Sequence, residues 1–325
     1  MNLTDEAVIA LGTEDKIDAI YTTLFKIDGE FVRMRRIGSR DSGIRAQNPD
    51  ADNADNADNA DNDRAAFVLI HGIGLSSAYM LPLAEELHEI GQVLLFDLPG
   101  FGDLPVSGKP QTISRLAAIV SKSLKLAGVQ NVILVGHSMG AQIVVEMMAQ
   151  NHSFNRACLI GPPVNAAERS LRQALIRYLQ SAFYEKAGLV GVATWSYLRS
   201  VKTWLVKLLP QMLDYQIENR ISAVNPHSLI GILSGEHDYL APEYWLEQLA
   251  DSAAGTAWIG RIAGAAHSTI FSNDGEAAKA IARLVTHQET QAQAEFIHEE
   301  ARLAQDAFTR SAKNENPEFV PAGTD

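Results

Sequence analysis

The chain has 325 residues, room for one large α/β domain or two smaller ones, and its 46% hydrophobic content is ordinary for a globular protein in water. Its single cysteine, Cys158, excludes an intramolecular disulfide and a cysteine-based metal cluster, and a net charge of −12 argues against nucleic acid as a partner. The start, Met1-Asn2-Leu3-Thr4-Asp5-Glu6, lacks a signal peptide's basic start and apolar core, and no apolar run approaches the roughly 18 residues of a membrane span, so a soluble cytoplasmic protein is expected.

Residues 1–20 read as a weak helix or a loose arm. From Thr22 to Gly38 apolar residues alternate around Asp28-Gly29, which predicts a β-hairpin at the edge of a sheet. Between Asp50 and Asp63 lie four tandem Ala-Asp-Asn copies and six aspartates, half of the excess negative charge. Alanine alone builds no core and like charges repel, so a solvated, disordered insertion is expected. A calcium loop is disfavoured, because the tract has neither a glycine for a sharp turn nor a glutamate to close it.

Strand and helix patterns then alternate. Ala66–Ile70 reads as a buried strand ending at His71-Gly72-Ile73-Gly74, before a helix over Ser77–Ile90. Gln92–Phe96 is the next strand, ending at Asp97-Leu98-Pro99-Gly100-Phe101-Gly102, and Ile113–Leu126 a helix closed by Gly128. A short apolar strand leads into Gly136-His137-Ser138-Met139-Gly140, and a helical pattern follows at once to about Gln150. Arg156–Ile160 is a strand stopped by Gly161-Pro162-Pro163, with Cys158 inert inside it.

Residues 163–226 break the alternation and read as helices. One apolar stripe runs through Leu171, Leu175, Tyr178, Leu179 and Phe183, another through Trp195, Leu198, Val201, Leu205 and Leu208. Eight Lys or Arg against four acids make this segment basic within an acidic chain. The alternation resumes with a strand over Ser228–Leu233, a helix from about Pro242, a strand over Ala257–Ile262 and a helix over Glu276–His287. Polar helical sequence runs on to about Arg310, before a frayed tail.

Strand, tight turn and helix is the context in which G-x-S-x-G forms a nucleophile elbow, with Ser138 at its tip and the Met139 N–H aimed at a developing oxyanion. A serine hydroxyl is a weak nucleophile near neutral pH and needs an adjacent base. His267 supplies a base in the useful range, and Asp238 an acid to fix its tautomer. All three residues follow predicted strands, at the carboxyl edge of the sheet. Glu236 is an alternative acid. His237 is read as pointing away from Asp238, His137 as packing, and His71 as shaping the glycine loop by hydrogen bonding.

With the chain order Ser138, Asp238, His267, residues 65–290 resemble the α/β-hydrolase fold family. The resemblance implies an α/β fold with a mostly parallel, doubly wound sheet and an inserted helical cap. It divides the chain into an N-terminal arm, hairpin and tract (1–64), a core (65–162 and 227–290), a cap (163–226) and a C-terminal helix and tail (291–325). It implies a second oxyanion donor, the Ile73 N–H. Relatives that open epoxides or remove halides carry an aspartate at the elbow, so Ser138 disfavours those reactions. The expectation is hydrolysis of a small-molecule ester or acyl substrate through an acyl-enzyme, without cofactor or metal. C–C bond hydrolysis or perhydrolysis on the same triad, a lipid-active hydrolase contacting a membrane through its cap, and a non-catalytic binding protein are the alternatives. No oligomeric state is inferred.

Overall fold

The computed structural model describes residues 7–9, 19–38, 64–106, 108, 110–185 and 207–285. The chain divides into compact units Met1–Leu284 and Val285–Asp325, and all but the first residue of the second lies outside the described residues. So do the Ala-Asp-Asn tract and the stripe from Trp195 to Leu205.

A nine-stranded sheet forms the centre. Its strands are β1 (Ala7–Ile9), β2 (Ala19–Ile27), β3 (Glu30–Gly38), β4 (Ala66–Ile70), β5 (Gln92–Asp97), β6 (Val132–His137), β7 (Arg156–Ile160), β8 (Leu229–Gly235) and β9 (Thr256–Ile262), in the order β1-β2-β3-β5-β4-β6-β7-β8-β9. From β5 to β9 every pairing is parallel, whereas β1, β2 and β3 join antiparallel at one end. Every residue of β4 and β7 is buried, which is why β4, and β7 after its opening Arg156, read as apolar runs rather than alternations.

The hairpin closes as its sequence requires. Asp28 and Gly29 both take positive φ, 51° and 87°, the two left-handed positions of a type I′ turn. The expected weak helix or arm at the start is corrected, because Ala7–Ile9 and Ala19–Ile27 are strands. The hairpin's outer strand would otherwise leave its backbone unpaired, and β1 pairs with it from Ala7↔Thr22 to Ile9↔Ile20.

One buried carboxylate fixes the hairpin to the parallel core. Asp97, at the end of β5, sits opposite Arg33 in the antiparallel register. Its Oδ2 accepts from Arg33 Nη1 at 3.0 Å and lies 3.4 Å from Arg35 Nη2, and its Oδ1 accepts from the Ser77 N–H at 2.7 Å. The loop after β5, expected to be structural, is therefore tied to β3, where Arg33 Nη1 also donates to the Gly102 carbonyl at 2.8 Å, and through Asp97 to Ser77, ahead of β5 in the chain.

The helices follow the sequence with local exceptions. The predicted helix from Ser77 starts as a 3-10 turn (Ser77–Met80), and α1 proper is Leu81–His88. Pro82 favours that break, since a proline without an N–H suits the first turn of an α-helix. Helix α2 (Ile113–Leu126) is capped by Thr112 Oγ1, which accepts from the Arg115 N–H at 3.1 Å. Helix α3 (Met139–Gln150) is buried along most of its length, as befits the helix directly behind the elbow.

The inserted stretch behaves in two ways. Helices α5 (Leu209–Asp214) and α6 (Ile217–Arg220) place Met212, Leu213 and Ile217 in the main core, joined by Ile221 of the 3-10 turn that follows. Glu146 on α3 ties them down, accepting from Tyr215 Oη at 2.9 Å and Arg220 Nε at 2.7 Å. Helix α4 (Leu171–Ala182), capped by Ser170 Oγ, buries only Ser181. The predicted stripe faces outward, with Leu171 56%, Leu175 55%, Leu179 59% and Phe183 87% exposed. Polar contacts hold this segment instead: Arg177 pairs with Glu168 and Arg169 with Glu218. Helix α7 (Glu243–Ser252) packs Trp245 into the core, its Nε1 donating to the Pro162 carbonyl at 3.0 Å. Helices α8 (Thr269–Ser272) and α9 (274–285) close the unit.

Asp97→Ala leaves two guanidinium groups and an N–H without their shared acceptor, and is expected to lower the unfolding free energy by about 3 kcal/mol. Leu175→Ser, on the exposed face of α4, is expected to change it by less than about 0.5 kcal/mol. Urea denaturation of both variants checks the contrast.

Candidate active site

The elbow is built by close backbone approach. A Cβ at Gly136 would collide with the backbone of Gly140 and Ala141, and one at Gly140 with the carbonyl of Ile70 on β4. Only glycine at both positions lets β6 reverse directly into α3 while β4 passes alongside. Between them Ser138 takes φ 54° and ψ −122°, a left-handed conformation that costs a non-glycine residue on the order of 1–3 kcal/mol. The Ser138 N–H donates to the Ile160 carbonyl at 2.8 Å, and its carbonyl accepts from the Ala141 N–H at 2.8 Å. The turn is thus held at both ends, with the Ser138 side chain at the carboxyl edge of the sheet.

Asp238 and His267 arrive on loops zipped to each other. The His237 N–H donates to the Ala265 carbonyl at 2.8 Å, and the Glu236 N–H to the Ile262 carbonyl at 2.9 Å. Asp238 is buried; its Oδ1 accepts from the Leu240 and Ala241 N–H groups at 3.0 and 3.3 Å. Its Oδ2 lies 3.0 Å from His267 Nδ1. A proton on Nδ1 satisfies that bond and leaves His267 Nε2 as the free acceptor. Glu236, the alternative acid, instead accepts from the Gly264 N–H at 2.8 Å and makes no bond to the imidazole.

His137, next to Ser138 in the chain, lies against His267: its Nε2 is 3.0 Å from the His267 carbonyl and its ring centre is 5.0 Å from that of His267. Met139 is the first residue of α3, where an N–H has no partner within the helix. Ile73 lies in the turn after β4, which reaches Ser138 through Gly72: a Cβ there would stand 3.1 Å from Ser138 Cβ. His71 shapes that turn as expected, Nδ1 donating to the Gly72 carbonyl at 2.8 Å and Nε2 accepting from the Leu98 N–H at 3.2 Å. All five predicted site residues therefore gather at one end of the sheet.

Two residues escaped the sequence reading. Gly161, read there only as a strand stop, has φ 54°, and a Cβ would lie 2.9 Å from Asp238 Oδ2 and 3.0 Å from His267 Nδ1. The acid and base fit together because that side chain is missing, and its only signal was its place right after a core strand. The other is Glu185, whose Oε1 accepts from the Ser268 N–H at 2.8 Å. Nothing in the sequence distinguishes this glutamate from its neighbours.

Three buried histidines share the site, and their surroundings push them in different directions. Burial pushes His71 below its ordinary 6.5, and burial together with the nearby His267 brings His137 to about 3. Burial also pulls on His267, but the Asp238 carboxylate, by charge and by hydrogen bond, and then Glu185 outweigh it and hold the group above 6.5. Among the described residues no cluster of His, Cys, Asp or Glu could hold a metal ion.

Residues 67–309 match the model of the alpha/beta hydrolase family. The chain belongs to that family. A curated relative named "Putative carbamate hydrolase RutD", from Escherichia coli O157:H7 (strain EC4115 / EHEC), is 33% identical over 99 residues, 30% of this chain and 37% of the relative. The matched stretch thus spans just over a third of that relative's length. An esterase from Exiguobacterium antarcticum superposes with a TM-score of 0.61 at 15% identity, covering 81% of this chain and 99% of the other. The enol-lactonase from Burkholderia xenovorans LB400 gives 0.62 at 17% identity, covering 81% and 99%. At such identities these two likenesses speak for the fold alone. No helix among the described residues is long and apolar enough to cross a membrane.

The buried, neutral His137 makes a prediction about acid stability. A histidine held at about 3 in the folded chain and near 6.5 when unfolded contributes no penalty above 6.5. As the pH falls below 6.5 the unfolded chain takes up a proton that the folded chain refuses, so stability is lost. His137→Gln keeps a donor for the His267 carbonyl but does not titrate. Its unfolding free energy from urea denaturation between pH 6 and 4 is expected to fall less steeply than that of the wild type, by about 1.4 kcal/mol per pH unit.

Proposed function

We propose that the chain is a serine hydrolase that cleaves a carboxylic ester of modest size through an acyl-enzyme. The observation that carries the reading is the Asp238–His267 bond of 3.0 Å, buried beside a serine held at φ 54° on an elbow. In this reading Ser138 Oγ attacks the ester carbonyl carbon while its proton passes to His267 Nε2. Asp238 stabilises the imidazolium that forms. The carbonyl oxygen becomes an oxyanion between the Ile73 and Met139 N–H groups, which are fixed before the charge develops. Collapse of the tetrahedral intermediate breaks the C–O bond, and the alcohol leaves with the proton from Nε2. Water, deprotonated by the same nitrogen, then attacks the acyl carbon, releases the acid and restores Ser138.

The elbow serine also serves carbamates, and the family relative named for carbamate hydrolysis makes them a necessary part of a substrate panel. A lipid-active variant of the same reaction is favoured by one observation, the exposed apolar face of α4. Leu171, Leu175, Leu179 and Phe183 stand outward on an element that connects β7 to β8. Such a face suits a lipid surface.

Hydrolysis of a p-nitrophenyl ester series, from acetate to palmitate, is expected to fall by a factor of at least about 10³ in Ser138→Ala. A fluorophosphonate is expected to label the wild type and not this variant. Equal rates in the two proteins would remove Ser138 from the reaction. Because His267 must be neutral to accept the proton and is held above 6.5, kcat/KM is expected to drop on the acid side at a midpoint above 6.5. For the lipid variant, Leu175→Ser with Phe183→Ser is expected to slow turnover of micellar but not of dispersed ester. An equal effect on both physical states counts against it.

A further inference from the structure

The last turn of α4 and the residues just after it touch both loops of the proposed charge relay. Ser181 Oγ accepts from the Tyr239 N–H at 2.9 Å, one residue beyond Asp238. The Tyr184 ring stacks on His237, one residue before Asp238, with centres 4.2 Å apart and planes 16° from parallel. Glu185 Oε1 accepts from the Ser268 N–H at 2.8 Å, one residue beyond His267. Three side chains within five positions thus hold the acid loop and the base loop from the same side.

We propose that Glu185 is a positioning residue for His267: it clamps the base loop through the Ser268 N–H and presents to the imidazole a second carboxylate besides Asp238. The proposal rests on the hydrolytic reading above for its catalytic meaning, and on geometry alone for the clamp. Apolar burial would suit a neutral anchor here as well as an acidic one. A carboxylate in this place opposes the loss of charge that burial imposes on the base.

The charged and titratable groups around His267 come from separate elements. Asp238 lies on the loop after β8, Glu185 after α4, and His137 at the end of β6. Tyr79, from the 3-10 turn, stacks on Phe271 and has its ring centre 5.5 Å from that of His137. His137 is neutral over the working range and supplies no compensating anion. Burial raises Glu185 itself, against the pull of the Ser268 N–H and of the His267 charge. The two groups therefore stabilise each other's ionised forms, and Glu185 matters most when His267 carries the proton of the serine.

Glu185→Gln separates the two roles, because the amide oxygen still accepts from Ser268 while the charge is gone. Glu185→Ala removes both. The first measurement is a proton-exchange-independent NMR titration of the His267 ring in the full chain, with labelled histidine and His267→Gln for assignment. The midpoint is expected to move to lower pH in Glu185→Gln, and the acid limb of fluorophosphonate labelling at Ser138 to move in the same direction. At the alkaline plateau, labelling of Glu185→Ala is expected to fall about tenfold and that of Glu185→Gln to return close to wild type. An unmoved His267 midpoint in Glu185→Gln overturns the electrostatic role, and an Ala variant with wild-type plateau labelling overturns the clamp. If wild-type Ser138 does not label at all, the hydrolytic reading falls, and the NMR titration still decides whether Glu185 acts on His267.

Discussion

Everything in this fold depends on how closely three backbones approach each other at the elbow. β4, β6 and the start of α3 converge where Gly136 and Gly140 leave no room for a Cβ. That crowding fixes the height of Ser138 above the sheet and the direction of α3 behind it. It also fixes where the turn after β4 must pass, since Gly72 lies against Ser138. The strained φ of Ser138 is sustained because the bonds to Ile160 and Ala141 over-determine the turn. A longer or looser connection would relieve the strain and release the side chain from a single position.

Around that point, burial is nearly uniform and charge is not. His71, His137 and His267 are all shielded from water. Two of them pair only with backbone carbonyls and N–H groups, and burial then keeps them neutral. His267 alone has a carboxylate on Nδ1. The difference between a scaffold histidine and a base is therefore its partner, not its depth. His137 has a further cost, because its Nδ1 has no hydrogen-bond partner among the described residues. The site tolerates that orphan in exchange for the Nε2 bond that fixes the loop of His267.

Much of this was legible in the sequence, for a physical reason in each case. Strands buried on both faces give unbroken apolar runs, and β4 and β7 were read to the residue. Helix α2 was equally plain, because a closing Gly128 ends its apolar stripe; the cap at Thr112 is added by the structure. The approach of Asp238 to His267 was foreseen from their places after β8 and β9, since parallel strands deliver their following loops to one edge. β1 was missed because three residues carry no usable period, and the strand exists only through its partner. Glu185 was missed for a similar reason: its role comes from a loop more than eighty positions away, and no local pattern encodes it.

The outward stripe of α4 shows the limit of periodicity most clearly. Leu171, Leu175 and Leu179 recur at helical spacing, and that spacing correctly signals a helix. It does not say which side of the helix meets the protein. Here the side was decided by polar groups, Arg177 with Glu168 and Ser181 with Tyr239, whose bonds turn the apolar face away from the core. A helix held this way meets the core through Ala174 and is attached near its C-terminal end through Ser181, while Leu171, Leu175 and Leu179 stay exposed. In the proposed reaction that places the attachment beside the acid and base while leaving the apolar face toward whatever approaches from solvent.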